Sequence, residues 1–427
     1  MKKFIYPEKE VVLEALKRPV FDLDEIQARV KPILDEVRSN GDEALKTFTK
    51  KFDGIALTDI AVSKEAIERS ELSISPAFKD AVTTAIKHVT TFHKNQQALE
   101  PSVEVEVGVN CWRQNLPIEK VGLYVPGGTS PLVSTLIMLG APAQIAGCKE
   151  IVVCTPPNKE GKIADEILYT AKVLGIHQVY MIGGAQAIAA MAYGTETVPA
   201  VDKIFGPGNQ YVTAAKQAVN ANGIAIDLPA GPSEVLVIAD ETADPAFVAT
   251  DLLSQAEHGV DSQAILLTTS EKVLTETLAY VEKFTKTLSR RTIIEQSLEH
   301  CRAFLLKDMD AVMEISNIYA PEHLIISSDD ADALAQKVTA AGSVFIGHYS
   351  PESAGDYTSG TNHTLPTNGY ATAYSGVSLD SFVKKITFQK LTKAGLSSLL
   401  PTIKMLADFE GLDAHRLAAT IRIEDDR

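Results

Sequence analysis

The sequence contains no uninterrupted apolar run of the roughly 18 residues that a membrane-spanning helix requires. The lysines at its N-terminus precede no apolar stretch of signal-peptide length, so a secretory leader is not expected. The chain also lacks a basic stripe, and its formal net charge is −15, which disfavours binding to nucleic acid or to anionic membranes. These absences predict a cytoplasmic protein with neither nucleic acid nor membrane as a partner.

Cysteine is scarce, and the four residues Cys111, Cys148, Cys154 and Cys301 form no C-x-x-C pair. This usage fits a reducing compartment. Cys148 and Cys154 flank and close an apolar run and are expected in a core. A thiol nucleophile of the aldehyde-oxidising kind at Cys111 or Cys148 is an alternative, although neither has a visible activating context.

What the chain does contain is typical of a large α/β protein. Its 427 residues are 45% hydrophobic and 22% charged, which is enough for two or three domains with cores of their own. About the first hundred residues have helical periodicity. Val103, Val105, Val107 and Val109 then alternate with polar residues, which predicts a single half-exposed strand.

From Val121 onward, short apolar strands alternate with helices. The first series has strands at 121–125, 151–154, 179–182, 203–205 and 225–228, with helices at 133–146, 164–174, 185–193 and 209–219. The second has strands at 235–239, 264–268, 304–306, 324–326 and 344–346, with helices near 245–257 and 271–287. The alternation predicts two Rossmann-like α/β domains with parallel-rich sheets. Residues 230–233 favour a hinge or domain crossing, and 396–421 a helical tail.

Glycine-rich turns lead from strand to helix at three places, which are Gly127-Gly128, Gly183-Gly184 and the segment 206–208. Such turns let backbone N–H groups approach a phosphate, and a helix N-terminus adds favourable charge. No complete G-x-G-x-x-G or G-x-x-x-x-G-K-[ST] motif is present. Ordinary turn chemistry explains any single one of them, but three at the strand ends of one sheet favour a nucleotide cleft.

A metal site is one interpretation of His258, which follows Gln255 by three residues and would share its face on a helix. Imidazole and carboxylate ligands suit zinc or a similar divalent ion, and Asp356, His363 or His415 could complete the site. A capping or packed histidine is the alternative. Asp356 and His363 fall in 347–376, a 30-residue segment of little periodicity, and a loop of that length is usually functional.

Glu322 and His323 are adjacent, so both reach one pocket only where the backbone is a loop or the end of an element. They precede an apolar strand, which places them at a strand edge. A carboxylate that activates water beside an imidazole that moves protons would form a general acid/base pair. The alternative is a turn begun by Pro321 with Glu322 as a solvated surface charge.

Several strings together resemble the histidinol dehydrogenase family. They are Val-Gly-Leu-Tyr-Val-Pro-Gly-Gly at 121–128, Gly-Gly-Ala-Gln-Ala-Ile-Ala-Ala at 183–190, Lys-Ile-Phe-Gly-Pro-Gly-Asn at 203–209, Pro-Ala-Gly-Pro-Ser-Glu-Val-Leu-Val-Ile-Ala-Asp at 229–240, Asp-Leu-Leu-Ser-Gln-Ala-Glu-His-Gly at 251–259 and Glu-Gly-Leu-Asp-Ala-His at 410–415. The likeness runs from about residue 24 to the C-terminus.

The resemblance implies a role for each matching residue. Glu322 and His323 match the catalytic acid/base pair. One zinc ion per subunit is implied, with ligands matching Gln255, His258, Asp356 and His415. The substrate-contact positions match Ser233, Gln255, His258, His323, Asp356, His363, Glu410 and His415. The NAD-contacting positions match Tyr124, Gln186 and Asn209.

The resemblance also implies an aldehyde dehydrogenase-like arrangement and a homodimer with shared active sites. The expected parts are an N-terminal helical segment (1–23), a first α/β domain with the zinc and catalytic residues (24–120 and 233–377), a second with the NAD loops (121–232) and a C-terminal segment (378–427). That last segment would reach the partner's active site, so that Glu410 and His415 serve the neighbouring subunit.

The implied activity is that of an oxidoreductase of histidine biosynthesis, which converts L-histidinol to L-histidine through L-histidinal in two NAD-dependent oxidations. His323 would take the hydroxyl proton and Glu322 would activate water, so no cysteine is needed. A dehydrogenase of another small alcohol, such as a sulfopropanediol, is the first alternative, and a non-catalytic regulatory or scaffold relative is the second. Glu410 and His415 argue against the former, and the intact pair Glu322-His323 against the latter.

Overall fold

The computed structural model of this chain describes residues 1–18, 23–97, 100–127, 131–228 and 231–424. Gly128 of the first glycine-rich turn and Ala230 of the expected hinge lie outside the described residues. The described part divides into two compact units. The first comprises Met1–Lys94 and Ile118–Phe382, and the second comprises Asn95–Pro117 and Val383–Arg427. Within the described residues, no helix is both long enough and apolar enough to cross a membrane.

Strands and helices alternate through most of the chain. The strands are β1 (Lys2–Ile5), β2 (Val103–Glu106), β3 (Val109–Pro117), β4 (Lys120–Tyr124), β5 (Glu150–Thr155), β6 (Gln178–Met181), β7 (Lys203–Phe205), β8 (Ala225–Ile226), β9 (Glu234–Ala239), β10 (Gln263–Thr268), β11 (Arg302–Leu305), β12 (His323–Ser327), β13 (Ser343–Ile346) and β14 (Val383–Leu391).

The helices are α1 (Lys9–Ala15), α2 (Leu23–Phe52), α3 (Lys64–Arg69), α4 (Pro76–Lys94), α5 (Val133–Ala146), α6 (Asp165–Val173), α7 (Gly184–Tyr193), α8 (Gln210–Ala221), α9 (Pro245–Ala256), α10 (Glu271–Thr285), α11 (Arg291–Ser297), α12 (Met309–Tyr319), α13 (Ala331–Ala335), α14 (Glu352–Tyr357), α15 (Lys393–Glu410) and α16 (Asp413–Thr420). Helix α2 is interrupted at Gly41, where φ is 48°.

The first unit contains two sheets in which all strands are parallel. The five-stranded sheet has the order β6-β5-β4-β7-β8, and the six-stranded sheet has the order β1-β11-β10-β9-β12-β13. If β1 is set aside and the strands of each sheet are numbered along the chain, both have the Rossmann order 3-2-1-4-5. The prediction of two Rossmann-like α/β sheets is confirmed.

Helices cover both faces of each sheet, as they must when the strands are buried on both sides. Strands β9 and β10 are buried along their whole length. Side chains on one face of β9, such as Val235, pack with α9 and α10, whereas Leu236 on the other face packs with α1 and α12. The five-stranded sheet packs with α4, α5 and α6 on one face and with α2, α7 and α8 on the other.

The second unit contains a three-stranded antiparallel sheet, β14-β3-β2, and the helices α15 and α16. The single strand expected over Val103–Val109 is wrong in one respect. A turn at Val107-Gly108, with φ of 78° at the glycine, separates β2 from β3. Glycine adopts that backbone conformation at little cost, so the chain folds back on itself there.

Two segments differ from the pattern expected of them. Residues 1–23 were expected to be helical, but β1 adds a strand to the six-stranded sheet. The helices α2 and α4, which fall in 24–120, pack with the five-stranded sheet. The expected domain division had instead placed 24–120 in one domain with 233–377. The reason is that the apolar faces of these helices carry no signal for which sheet will cover them. The domain boundaries and the aldehyde dehydrogenase-like arrangement stay predictions.

Candidate active site

Glu322 and His323 lie at the amino-terminal edge of the six-stranded sheet. His323 is the first residue of β12, and it is paired in register with Val235 of β9 and with Ser343 of β13. Both side chains are buried, with exposed fractions of 6% for Glu322 and 3% for His323. The alternative of Glu322 as a solvated surface charge is therefore wrong.

The backbone of Glu234 contacts both members of this pair. Its N–H donates to Glu322 Oε2 over 2.8 Å, and its carbonyl lies 3.1 Å from His323 Nδ1. Because a carbonyl can only accept, Nδ1 must carry the proton of the neutral ring. The Nε2 atom is left with its lone pair, and it has no hydrogen-bond partner among the described residues.

Gln255 and His258 lie at the same edge, at the end of α9. Asp244 starts this helix by accepting a hydrogen bond from Ala246 N, with Pro245 in the first turn. The helix ends at Ala256, so His258 lies in the following turn rather than on the helix. A backbone bond of 3.2 Å from His258 N to Gln255 O keeps the two residues together.

The segment 347–376 brings further polar side chains to this edge. Within it, α14 carries Glu352 and Asp356, and His363 follows a few residues later. Carboxylate oxygens of Glu352 and Asp356 and a ring nitrogen of His258 lie within 4.8 Å of one another. His323 Nδ1 is 3.4 Å from Glu352 Oε1, and His323 Nε2 is 3.9 Å from Asp356 Oδ1.

Many polar atoms of this cluster are buried without a protein partner. Among the described residues, no hydrogen bond reaches either amide atom of Gln255, either carboxylate oxygen of Glu352, His323 Nε2 or His363 Nε2. Unpartnered buried polar atoms are costly, and a group of them at one point indicates a bound species that satisfies them. Imidazole, carboxylate and amide oxygen together can hold a divalent cation.

Burial shifts the protonation of these groups. It raises the pKa of Asp356 to about 7. It also raises the pKa of Glu352 well above its usual range, an effect that the neighbouring Asp356 strengthens. Burial lowers the pKa of His323 to about 3 and that of His363 to about 4, so both rings are neutral at pH 7. A cation in the cluster would favour the ionised carboxylates and the neutral imidazoles together.

Burial raises the pKa of Glu322 as well, well above its usual range, while the bond from Glu234 N acts in the opposite direction. A carboxyl shifted upward is a stronger base once it loses its proton, as a group that activates water must be. The thiol alternative has no comparable support. Burial raises the pKa of Cys148 to about 11, so its reactive thiolate is scarce at neutral pH.

Tyr124, Gln186 and Asn209 belong to the other sheet, near the carboxyl ends of its strands. Tyr124 ends β4, and its hydroxyl accepts a hydrogen bond of 3.1 Å from Gly184 N at the start of α7. Gln186 is buried in the first turn of that helix. Asn209 is exposed, and its Oδ1 caps α8 by accepting from Tyr211 N and Val212 N. Open α/β sheets bind ligands at this edge.

The loop after β7 is held by a buried ion pair. The Lys216 ammonium contacts the Asp227 carboxylate, and the exposed fractions of these side chains are 5% and 1%. Lys216 Nζ also donates to the carbonyl of Gly206, and Asp227 Oδ2 accepts from Gly206 N, both over 2.8 Å. A Cβ at Gly206 would lie 2.1 Å from the carbonyl oxygen of Tyr124. At Gly206 the loop thus passes too close to β4 for a residue with a side chain.

Replacing Lys216 by methionine is expected to lower the free energy of unfolding by about 3–5 kcal/mol, because Asp227 is left charged and buried. The double variant Lys216→Met/Asp227→Asn should lose less, since the unpaired charge is gone. Urea unfolding followed by circular dichroism measures both. Lys286→Met is the matched control, because its ion pair with Glu282 is exposed and such pairs contribute little to stability. Equal losses for Lys216→Met and Lys286→Met would contradict the prediction.

A cavity of about 680 Å³ runs between the two edges. Its lining includes Gly208 and Asn209 from the loop after β7, Ser233, which precedes β9, and His258 from the turn after α9. Arg18 also lines it. The carboxyl edge of one sheet and the amino edge of the other therefore face a common space within the first unit.

Two of the expected site residues belong to the second unit. Glu410 is the last residue of α15 and His415 lies in α16, and both are exposed. Sequence reasoning missed Glu352 and Glu234. Glu352 precedes Asp356 by four residues, so helical spacing could have suggested a shared face. Glu234 gave no such signal, because its contacts come from its backbone and from strand pairing.

Comparisons with known proteins agree with these observations. A model of the family described as histidinol dehydrogenase matches residues 16–423. The histidinol dehydrogenase of Bacteroides fragilis strain YCH46 is 54% identical over 427 residues, which is 100% of each chain. That of Vibrio cholerae is 50% identical over 96% of this chain and 95% of its own. The crystal structure of histidinol dehydrogenase from Elizabethkingia anophelis superposes with a TM-score of 0.96 at 51% identity, covering 99% of this chain and 98% of that one.

The family model and the relatives span nearly the whole chain, so the match is not confined to one sheet or one unit. The chain belongs to the histidinol dehydrogenase family.

Proposed function

We propose that this oxidoreductase converts L-histidinol to L-histidine through L-histidinal in two oxidations that use NAD. The observation that carries the proposal is the buried cluster of unpartnered donors and acceptors around Glu322 and His323. A count of NADH formed per histidinol consumed tests it. Two NADH per substrate support the four-electron reaction, whereas one NADH, or none, would contradict it.

A divalent cation, proposed to be zinc, fits the cluster. Gln255, His258 and Asp356 would supply ligands from the first unit, and Glu352 lies close enough to join or to orient them. The fit rests on the unpartnered amide of Gln255 and on the carboxylates, which gain stability from a cation. When bound, the cation would hold the substrate's imidazole and amine in a fixed orientation.

NAD is proposed to bind beside Tyr124, Gln186 and Asn209. The loop after β7 packs tightly on α8, since a Cβ at Gly208 would lie 2.4 Å from Val212, and its residues Gly208 and Asn209 line the cavity. The helix α7 starts without a side-chain bond from its N-cap, Gly183. Gly184 N donates to Tyr124, and the other N–H groups of the first turn favour an anion such as a phosphate. When bound, NAD would accept the hydride of each oxidation.

The chain's own residues would then move the protons. His323 Nε2, which is neutral and unpartnered, would accept the hydroxyl proton of the alcohol. Glu322 would take a proton from the water that adds to the aldehyde, while the protonated His323 would give its proton to the aldehyde oxygen and become neutral again. His323 would accept the hydroxyl proton of the resulting hydrate in the second oxidation. Burial of the pair would keep bulk water away from the aldehyde between the two steps.

Substrate contacts are proposed for two groups of residues. Those of the first unit are Ser233, Gln255, His258, His323, Asp356 and His363. Those of the second unit are Glu410 and His415, which we assign to the active site of a partner subunit in a homodimer. Large exposed apolar side chains next to them support docking on a second copy, with exposed fractions of 91% for Phe409 and 71% for Met405.

Loss of a residue that only hydrogen-bonds to a metal ligand lowers metal affinity about 10- to 100-fold. Replacing His415 by alanine is expected to weaken zinc binding by more than that, because a proposed direct ligand is removed. Competition with a chromophoric chelator measures the affinity. His177→Ala is the control, since His177 is exposed and outside the proposed site. Unchanged metal affinity in His415→Ala would remove His415 from the site.

Mixed dimers test whether the active sites are shared. A dimer of one His415→Ala chain and one Glu322→Gln chain would contain one complete site, formed by Glu322 of the first chain and His415 of the second. Mixing the two weak variants after partial unfolding should therefore restore aldehyde oxidation above that of either alone. Absence of any gain would mean that His415 serves its own subunit or none.

The alternatives are less well supported. Oxidation of another small alcohol, such as a sulfopropanediol, is not favoured by the family match, and turnover with that diol rather than histidinol would restore it. A non-catalytic regulatory role is opposed by the intact cluster, and an absence of NADH formation with histidinol and zinc would favour it.

A reducing, cytoplasmic location fits the four free cysteines.

A further inference from the structure

Glu234 connects the proposed acid/base pair to the N-terminal segment of the chain. Its backbone N–H donates to Glu322 Oε2, and its carbonyl accepts from His323 Nδ1. Both contacts follow from the parallel pairing of β9 with β12, which sets Val235 opposite His323. A shift of the Glu234 backbone would therefore disturb both catalytic groups at once.

The side chain of Glu234 is itself held on both oxygens. Arg18 Nε donates to Oε1 over 2.5 Å and Arg18 Nη2 to Oε2 over 2.9 Å, a bidentate pair. The backbone N–H of Asn368 also donates to Oε1, over 2.9 Å. Glu234 is 2% exposed, so water cannot replace these bonds where the side chain lies.

Arg18 is held in turn by the end of α12. Its Nη2 donates to the carbonyl of Tyr319 over 2.7 Å, and its guanidinium lies 4.0 Å from the centre of the Tyr319 ring. Tyr319 precedes Glu322 by three residues, so Arg18 contacts both the segment that leads into the pair and Glu234, whose backbone contacts the pair. A lysine could not reproduce this geometry, because its single ammonium lacks the planar pair of donors.

We propose that Arg18 is a positioning residue for the reaction, which holds Glu234 so that its backbone orients Glu322 and keeps the proton of His323 on Nδ1. This inference rests on the proposed function of Glu322 and His323. Neither Arg18 nor Glu234 moves a proton of the substrate in this scheme. Their effect is to leave His323 Nε2 free as an acceptor and to fix the carboxylate that activates water.

Arg18→Met is the test. We expect kcat for both oxidations to fall about 10- to 100-fold, the range found when a catalytic group loses its support. The KM values for histidinol and NAD should change less than about twofold, because both ligands still meet the same contacts. Arg18→Lys should recover part of the loss. Lys9→Met is the matched control, because it removes an exposed ion pair with Glu314 from the same N-terminal segment.

The tautomer of His323 provides a second measurement, because a purely structural role of Arg18 would leave the tautomer unchanged. The protein is purified with ¹⁵N-labelled histidine, and the NMR signals that disappear in His323→Asn are those of the His323 ring. They should report a proton on Nδ1 in the original chain and a mixture of both tautomers in Arg18→Met. Glu234→Gln, which keeps the side chain's size but removes its charge, should change kcat in the same direction if Arg18→Met does not fold.

The results separate the possible failures. An unchanged kcat and an unchanged tautomer in folded Arg18→Met and Glu234→Gln would overturn the inference. A rise in the KM for NAD without loss of kcat would also overturn it, because Arg18 lines the cavity and would then be a ligand contact. If His323→Asn and Glu322→Gln retain full rates, the proposed function fails instead, whatever Arg18 does.

Discussion

Replacing Glu322 by glutamine is expected to leave oxidation of the alcohol near its original rate and to slow oxidation of the aldehyde by about 10²- to 10⁴-fold, the contribution of a positioned general base. Glutamine keeps the size of the side chain and still offers an oxygen to Glu234 N, but it cannot take a proton from water. Single-turnover assays started with histidinol and with histidinal measure the two steps separately.

The control for this prediction is His323→Asn, which removes the proton acceptor proposed for both oxidations. It should slow both half-reactions, so the two variants have different profiles. If Glu322→Gln oxidises the aldehyde at full rate, water is activated by another group, and Glu352, 3.4 Å from His323 Nδ1, is the nearest candidate. If it slows both steps equally, Glu322 acts in orienting the site rather than in hydrating the aldehyde.

Removing the metal with a chelator is expected to lower both oxidations by at least about 100-fold, because the substrate loses the group proposed to orient it. Removing the cation also changes the protonation of the carboxylates in the cluster. Burial raises the pKa of Asp356 to about 7, so near neutral pH that carboxyl is partly protonated when no cation is present. The measurement is NADH formed per histidinol, before and after chelation, with metal content determined on the same samples.

Recovery on adding zinc back separates metal loss from denaturation. In the intact protein we expect two NADH per histidinol, and zinc should restore that ratio along with the rate. The chelator already saturated with zinc is the control for direct inhibition. Full turnover in samples that retain less than about a tenth of an equivalent of any divalent metal would show that the cluster works without a cation.

Local signals in the sequence predicted most of the sheet architecture. The strands β5, β9 and β10 were predicted within a residue or so of their observed ends, since a strand buried on both faces is a continuous apolar run. β1 was missed because it is a short and mostly exposed edge strand, which pairs with β11 alone among the described strands. The helix α12 was also missed, although Asp308, whose side chain accepts a hydrogen bond from Ala311 N, is a typical N-cap.

The candidate site was predicted less completely. Gln255 and His258 could be named from the sequence because they stand in a string that resembles the family. Glu322 and His323 were named because they precede an apolar strand, and Asp356 and His363 because their side chains are of the type that completes a metal site. Glu352 lies in the same cluster and was not named. Its placement depends on the fold of 347–376, a segment with too little periodicity to predict α14.

By itself the sequence determined the alternation of strand and helix, the turns at its glycines and the residue types available for the chemistry, because each of these depends on a few neighbouring residues. Only the tertiary structure decided which of them meet. The contact of Glu234 with Glu322 and His323 joins residues 88 and 89 positions apart, and the register of β9 with β12 creates it. The bond from Arg18 to Glu234 spans 216 positions. Such contacts follow from packing of the whole chain, which no local pattern specifies.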